Sequence, residues 1–217
     1  MRLKVQTEKG QSIEDASMEI IENEIGNHDY NEKEWPIVRR IIHSTADFDF
    51  AGKNKIIFSK NAVEQGISAL KNGCSIVVDV NGVIGGLNKQ NPKDFGNKVI
   101  CNISSPEVME LAKKQNKTRS QMSMRIASSD IDGGIVVIGN APTALLELIG
   151  MVKEGTVKPA LIIGIPVGFI SAPESKEELS KITQVPFITN IGRKGGSSSA
   201  SAIVNALYKL LRLESKS

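Results

Sequence analysis

Short β-branched runs alternate with helical patterns along most of the chain. The runs are KIIF (55–58), SIVVDV (75–80), KVICNI (98–103), GIVVIGN (134–140) and ALIIGIPV (160–167). Several are apolar throughout rather than at every second residue, as expected of strands in a parallel sheet covered on both faces. Between them, Val63, Gly66, Ile67 and Leu70 keep helical spacing, and so do Leu145, Leu148, Ile149 and Val152. The last segment sets Ile203, Val204, Leu207, Leu210 and Leu211 on one stripe. The pattern predicts an α/β fold class: a single doubly wound domain over residues 1–217, its central sheet mostly parallel and flanked by helices. GGLNKQNPKDFGNK (85–98) breaks the pattern and reads as a loop.

In open α/β sheets, ligands bind beyond the carboxyl ends of the strands. Three exits from the runs suit that role. VVIGNAPTALLELI passes from strand to helix, with Asn140 expected as N-cap and Pro142 in the first turn. IGIPVGFISAPESKEEL leaves a strand through Gly and Pro and starts a helix near Glu174. PFITNIGRKGGSSSASAIVNAL leaves a short strand through a basic, glycine-rich loop into the final helix. Backbone N–H groups at that helix start, beside Arg193 and Lys194, make a natural anion site.

RRIIHSTADFDF (39–50) gathers scarce ionisable groups inside an apolar, helix-like run. If 35–47 is helical, Arg40, Arg39 and Asp47 lie at i−3, i−4 and i+4 from His43. Ile37, Val38, Ile41 and Ile42 form the buried side, and His43 is expected at its edge, half desolvated among charges. Imidazole changes charge near neutral pH, so such a place suits an acid–base group. A solvated charge cluster on a surface helix fits the same periodicity. His28, in GNHDYNEKEW, is expected to be exposed and structural.

Composition narrows the chemistry. Hydrophobic residues make up 40% and charged residues 24%, the balance of a soluble globular protein, and the formal charge of +3 gives no reason to expect a nucleic-acid partner. Cys74 and Cys101 stand apart from each other and from the histidines, which argues against a zinc site and fits a reducing compartment. With no signal-like or membrane-length apolar run, the chain reads as cytoplasmic, with no membrane partner. GRKGGSSS has the wrong order for a phosphate loop, NGVIGGLNK is not GxGxxG, and GFISAPES lacks the GxSxG elbow. No HExxH occurs, so no catalytic metal is expected.

Five blocks carry a resemblance: RRIIHSTADFD, TRSQMSMR, GNAPTALLELI, PALIIGIPVGFISAPESKEEL and GRKGGSSSASAIVNAL. In this order, across roughly residues 12 to 208, they resemble the precorrin-8X methylmutase family, also called precorrin isomerase. Its cobalt-pathway members act on cobalt-precorrin-8. The resemblance implies an α/β homodimer with active sites near the subunit interface, and an isomerase of cobalamin (vitamin B12) biosynthesis. A methyl group would move from C-11 to C-12 of the macrocycle, giving hydrogenobyrinate from precorrin-8 or cobyrinate from its cobalt form. This is a formal 1,5-sigmatropic shift within one molecule and consumes no external cofactor. The Lys- and Ile-rich composition leans toward the cobalt form.

The resemblance also assigns residues. His43 matches the family's catalytic histidine, implied to donate a proton to a ring nitrogen near the migrating methyl and take it back. Ser17 and Arg40 match substrate contacts. Arg119 and Ser120, in KTRSQ, sit where the family places residues against the macrocycle, and Arg193 fits the strand-exit anion site. The family tolerates other residues at Lys194, Asp47 is read as orienting His43 or capping the helix rather than as catalytic, and Pro173 stands where many relatives have a smaller residue. Physical logic agrees: a flat apolar ring edged with acetates and propionates calls for separated arginines, whose planar forks bind both carboxylate oxygens. Two alternatives remain: a non-catalytic tetrapyrrole or organic-anion binding module of the same fold, and a nucleotide- or phosphate-dependent transferase using GRKGGSSS.

Overall fold

The structure is a computed structural model describing residues 7–215; positions 1–6 and 216–217 of the expected 1–217 domain lie outside the described residues. In chain order it runs α1 (Glu8–Ile25), α2 (Trp35–Thr45), a 3-10 turn (Phe48–Ala51), β1 (Ile56–Phe58), α3 (Ala62–Lys71), β2 (Ile76–Val78), α4 (Asn81–Gly86), α5 (Gln90–Phe95) and β3 (Val99–Ile100). It continues with α6 (Pro106–Lys114), α7 (Arg119–Ile126), α8 (Ser128–Ile131), β4 (Ile135–Ile138), α9 (Pro142–Lys153), β5 (Leu161–Gly164), α10 (Ala172–Ser180), β6 (Phe187–Asn190) and α11 (Ser197–Glu214). The six strands form one sheet in the order β1-β6-β5-β4-β2-β3. All neighbours are parallel except β1, which pairs antiparallel with β6 (Ile56 opposite Asn190).

Strand residues alternate between two cores because successive side chains point to opposite faces. Ile135, Val137, Leu161 and Ile163 join the core under α2, α3 and α11, while Val136, Ile138 and Ile162 join the one under α9 and α10. Every residue of β4 and β5 is buried, which explains their uninterrupted apolar sequence. On α2, Ile37, Val38, Ile41 and Ile42 are fully buried, as their spacing predicts, and α2 packs on α11. Gly86 of α4 lies against Ser201 of α11, where a Cβ would overlap the serine hydroxyl. The serine- and alanine-rich start of α11 is thus a close helix contact as well as a strand exit.

Several local expectations change. Residues 85–98 are not all loop. Asn88 Oδ1 accepts from Gln90 N–H (3.1 Å) to start α5, and Arg212 of α11 binds Asp94 (2.6 Å), so a polar stretch without periodicity becomes helical through its contacts. KVICNI contributes only Val99 and Ile100 to a strand. Asn140 is not the N-cap of α9. Ala141 occupies that position without a side-chain cap, and the Asp79 carboxylate, just past β2, accepts from the N–H groups of the segment leading into it. Pro142 is in the first turn as expected.

Candidate functional site

The chain reverses its winding between β2 and β4, the crevice where doubly wound folds usually take a ligand. Here Asp79 fills it. Its Oδ1 accepts from the Gly139 N–H (3.0 Å) and its Oδ2 from Asn140 and Ala141 (2.8 and 2.7 Å). The side chain is fully buried, and burial raises its pKa above the ordinary value even though the three N–H bonds oppose that. The amides of the segment leading into α9 thus already hold a carboxylate and are not open to an anionic ligand at this crevice. An acidic residue inside the apolar run SIVVDV was the available signal for it.

The open part of the carboxyl edge lies instead beyond β5 and β6. Two loops meet there: Gly168 N–H donates to Arg193 O (3.1 Å) and Gly196 N–H to Ile165 O (3.0 Å). Gly195 has φ +155°, and a Cβ on it would overlap the carbonyl oxygen of Ile165, so only glycine lets the loops approach this closely. Arg193 is exposed, with its guanidinium carbon 5.5 Å from the centre of the Phe169 ring. Phe169 and Ile170 are 80% and 86% exposed; Val167 in the same loop and Ile191 in the loop that carries Arg193 are exposed too. The edge therefore presents an apolar, aromatic surface together with a guanidinium. Helix α11 begins directly after it, without a side-chain cap.

Lys194 points away from this surface. Its Nζ binds Asp47 (2.8 Å) and Asp49 (2.7 Å), tying the β6 exit to the turn that follows α2. These contacts correct the expectation for Asp47. Helix α2 ends at Thr45, Ala46 adopts a left-handed conformation (φ 52°), and Asp47 leaves the helix to cap the 3-10 turn and hold Lys194. It is therefore not a helical i+4 neighbour of His43.

His43 sits in the last turn of α2 and is exposed, not half desolvated as expected. The arginines before it are engaged elsewhere. Arg40 binds Glu14 (2.5 Å), which also binds Lys209, and Arg39 binds Glu22 (2.8 Å). These pairs hold α1 along α2 and leave the imidazole outside the charge cluster. Burial pushes the Glu14 carboxyl up, but Arg40 and Lys209 outweigh it, so its pKa is lowered. Ser17 lies half-buried one turn after Glu14, its Oγ donating to Ile13 O (2.8 Å), between the exposed Ile13 and Ile20.

Arg119 opens α7 and is exposed, with Ser120 half-buried behind it. Thr118 and Gln121 form a capping box at this start. Thr118 Oγ1 meets Thr143 Oγ1 (3.3 Å) in the first turn of α9, and Gln121 Nε2 donates to Glu147 (2.9 Å). Arg119 and Ser120 thus lie past the carboxyl end of β4, on the same edge of the sheet as Arg193 but at a different strand exit. Among the described residues no hydrogen bond or ion pair joins the two groups. His28 is half-buried rather than exposed: its ring stacks on Trp35 at 3.9 Å because the loop folds back onto α2. Two pockets of about 260 and 250 Å³ open at the amino end of the sheet, around Asn61, and contain none of the sequence candidates. Among the described residues no three His, Cys, Asp or Glu side chains gather as a metal site.

Sequence reasoning missed Lys176 and Asn190 as well as Asp79. Lys176 falls on the stripe Ala172, Ser175, Lys176, Leu179 that α10 buries, and a lysine on a buried stripe was the signal.

Fold and edge define a class: a doubly wound α/β protein whose carboxyl edge offers exposed arginines, an apolar aromatic surface and one histidine. Comparison with known proteins narrows it. Residues 12–210 match the family model described as precorrin-8X methylmutase. The chain is 50% identical over 201 residues to the cobalt-precorrin-8 methylmutase of Priestia megaterium, covering 93% of this chain and 88% of that one. It is 47% identical to the cobalt-precorrin-8 methylmutase of Leptospira interrogans, over 94% and 95% of the two chains. The crystal structure of precorrin-8X methyl mutase from Thermus thermophilus superposes with a TM-score of 0.87 at 40% identity, covering 94% of this chain and 98% of that one. The chain belongs to the precorrin-8X methylmutase family.

Proposed function

We propose that this protein is an isomerase of cobalamin biosynthesis that moves a methyl group from C-11 to C-12 of cobalt-precorrin-8, with metal-free precorrin-8 as the second candidate substrate. Beyond family membership, the observation that carries this reading is the surface at the β5 and β6 exits. Phe169, Ile170, Val167 and Ile191 suit the face of a flat ring, and Arg193 suits a carboxylate at its rim. His43 is the proton donor and acceptor. It protonates a ring nitrogen, which draws electrons from the conjugated system and favours migration; the same proton then returns to His43, so the rearrangement balances without a cofactor. Arg40, Arg119, Arg193, Ser17 and Ser120 hold the macrocycle and its acidic side chains. Arg40 would exchange its Glu14 partner for a substrate carboxylate.

The protein acts in the cytoplasm as a homodimer. The exposure of His43, and of Ile13 and Ile20 either side of Ser17, supports a site completed and dried by a second copy. Among the described residues, no helix is long and apolar enough to cross a membrane. A second reading, a tetrapyrrole-binding module without turnover, draws on that same exposed imidazole, which makes no hydrogen bond among the described residues. Absorbance of purified protein mixed with precorrin-8 and with its cobalt form separates the two. Conversion of either ring to the longer chromophore of the product supports the isomerase. Stoichiometric binding of both with conversion of neither supports the module.

A further inference from the structure

The loop that carries Arg193 is held from beneath by a buried cation. Lys176, on α10, is 2% exposed, and its Nζ donates to the Lys194 carbonyl (2.7 Å) and to Asn190 Oδ1 (3.1 Å). Asn190 Nδ2 reinforces the clamp by donating to the carbonyls of Ile191 and Lys194 (2.9 Å each). Two side chains, from α10 and from the end of β6, converge on the Lys194 carbonyl, which directly precedes Gly195 and Gly196, whose left-handed backbones turn the chain into α11.

This is a costly way to hold a loop. No carboxylate among the described residues pairs with Lys176. Glu177 and Glu178 on its own helix bind Lys181 and Lys153, and Asp47 and Asp49 are taken by Lys194. Burial accordingly pulls the Lys176 pKa down to about 8. An apolar side chain of similar length would fill the space without that desolvation penalty. Stability alone therefore does not account for a lysine here, whereas a defined loop conformation does.

We propose that Lys176 is a positioning residue for the reaction: by gripping the Lys194 carbonyl it fixes the loop that presents Arg193 and the start of α11 to the acidic rim of the substrate. The role in substrate binding rests on the proposed methylmutase activity; the grip on the loop does not. It acts through Arg193 and the loop backbone and does not touch the reacting atoms.

The test uses the full chain with Lys176→Met, and with Lys176→Gln as a second variant that keeps an amide donor but removes the charge and shortens the reach to the Lys194 carbonyl. Without ligand, hydrogen–deuterium exchange over residues 191–198 should rise by about 10- to 100-fold, the equivalent of one charge-assisted hydrogen bond, while β4 and β5 keep their protection. With substrate, KM should rise about tenfold and kcat stay within about twofold. In an Arg193→Ala background, the same Lys176 change should raise KM by less than about twofold. Unchanged exchange in the loop overturns the proposal whatever the substrate. Loosened exchange with unchanged KM overturns the positioning role. If the methionine variant does not fold, the glutamine variant gives the same readouts and decides on the same terms. If wild type converts neither precorrin-8 form, the functional reading fails, the positioning role fails with it, and the exchange data still decide the anchoring.

Discussion

Replacing Glu147 with glutamine should destabilise the protein by about 2 kcal/mol at neutral pH and by almost nothing in acid. Glu147 lies on α9 with a side chain 5% exposed, and it accepts from Gln121 Nε2 (2.9 Å), from Lys117 (3.5 Å) and from Arg125 Nε. All three donors belong to α7 or the segment before it, so one carboxylate fastens the helix that begins with Arg119. Breaking a buried pair by removing one charge costs about 3–5 kcal/mol. Lys117 and Arg125 are 41% and 43% exposed, however, and water supports them once the carboxylate is gone. Glutamine also keeps one acceptor, so about 2 kcal/mol is the better figure, or about 4–8 °C in Tm for a chain of this size. Burial pushes the Glu147 carboxyl up, but Arg125, Gln121 and Lys117 outweigh it, so its pKa is lowered. A carboxyl lowered on folding contributes stability above its unfolded pKa of about 4.5 and loses it as pH falls through the folded value. Urea unfolding of both proteins at pH 7 and near pH 3 should therefore show curves that separate at pH 7 and converge in acid. An equal gap at both pH values, or a gap under about 0.5 kcal/mol at pH 7, would refute the reasoning.

The other predictions follow from packing and from the open edge. Ile41→Ala removes a fully buried side chain from the α2–α11 contact and should cost about 2–5 kcal/mol by urea unfolding, with far-UV circular dichroism retained. Gly195→Ala forces a Cβ into the Ile165 carbonyl at φ +155°; it should lower Tm and weaken substrate binding together, measured by scanning calorimetry and titration. Phe169→Ala, at an 80% exposed position, should leave Tm within about 1 °C yet raise KM several-fold, because the ring lies outside the core and on the surface proposed for the ligand.

The sheet was legible because its strands are buried on both faces. IVVI and LIIG cannot be mistaken for amphipathic helix, and the doubly wound class follows from their alternation with the helical stripes. The antiparallel pairing of β1 was not legible, since KIIF has no local feature that sets strand direction. Helix α5 was missed for a related reason: its polar residues are held by Arg212, more than a hundred positions away. At the site, spacing brought Arg39 and Arg40 near His43 on the helix surface, but Glu14 and Glu22 on α1 claim both guanidiniums and the imidazole is left exposed. Lys194 looked like part of the anion site, and the structure spends it on two aspartates instead. Such pairings depend on which helices become neighbours, and no local pattern carries that information.

The central claim is that His43 moves the proton that drives methyl migration. Its most direct test is single-turnover conversion of cobalt-precorrin-8 by wild type and His43→Ala, with binding measured in the same samples. The account predicts a rate loss of about 10²–10⁴-fold with affinity changed less than about threefold. Conversion by the variant at a rate near that of wild type would contradict it.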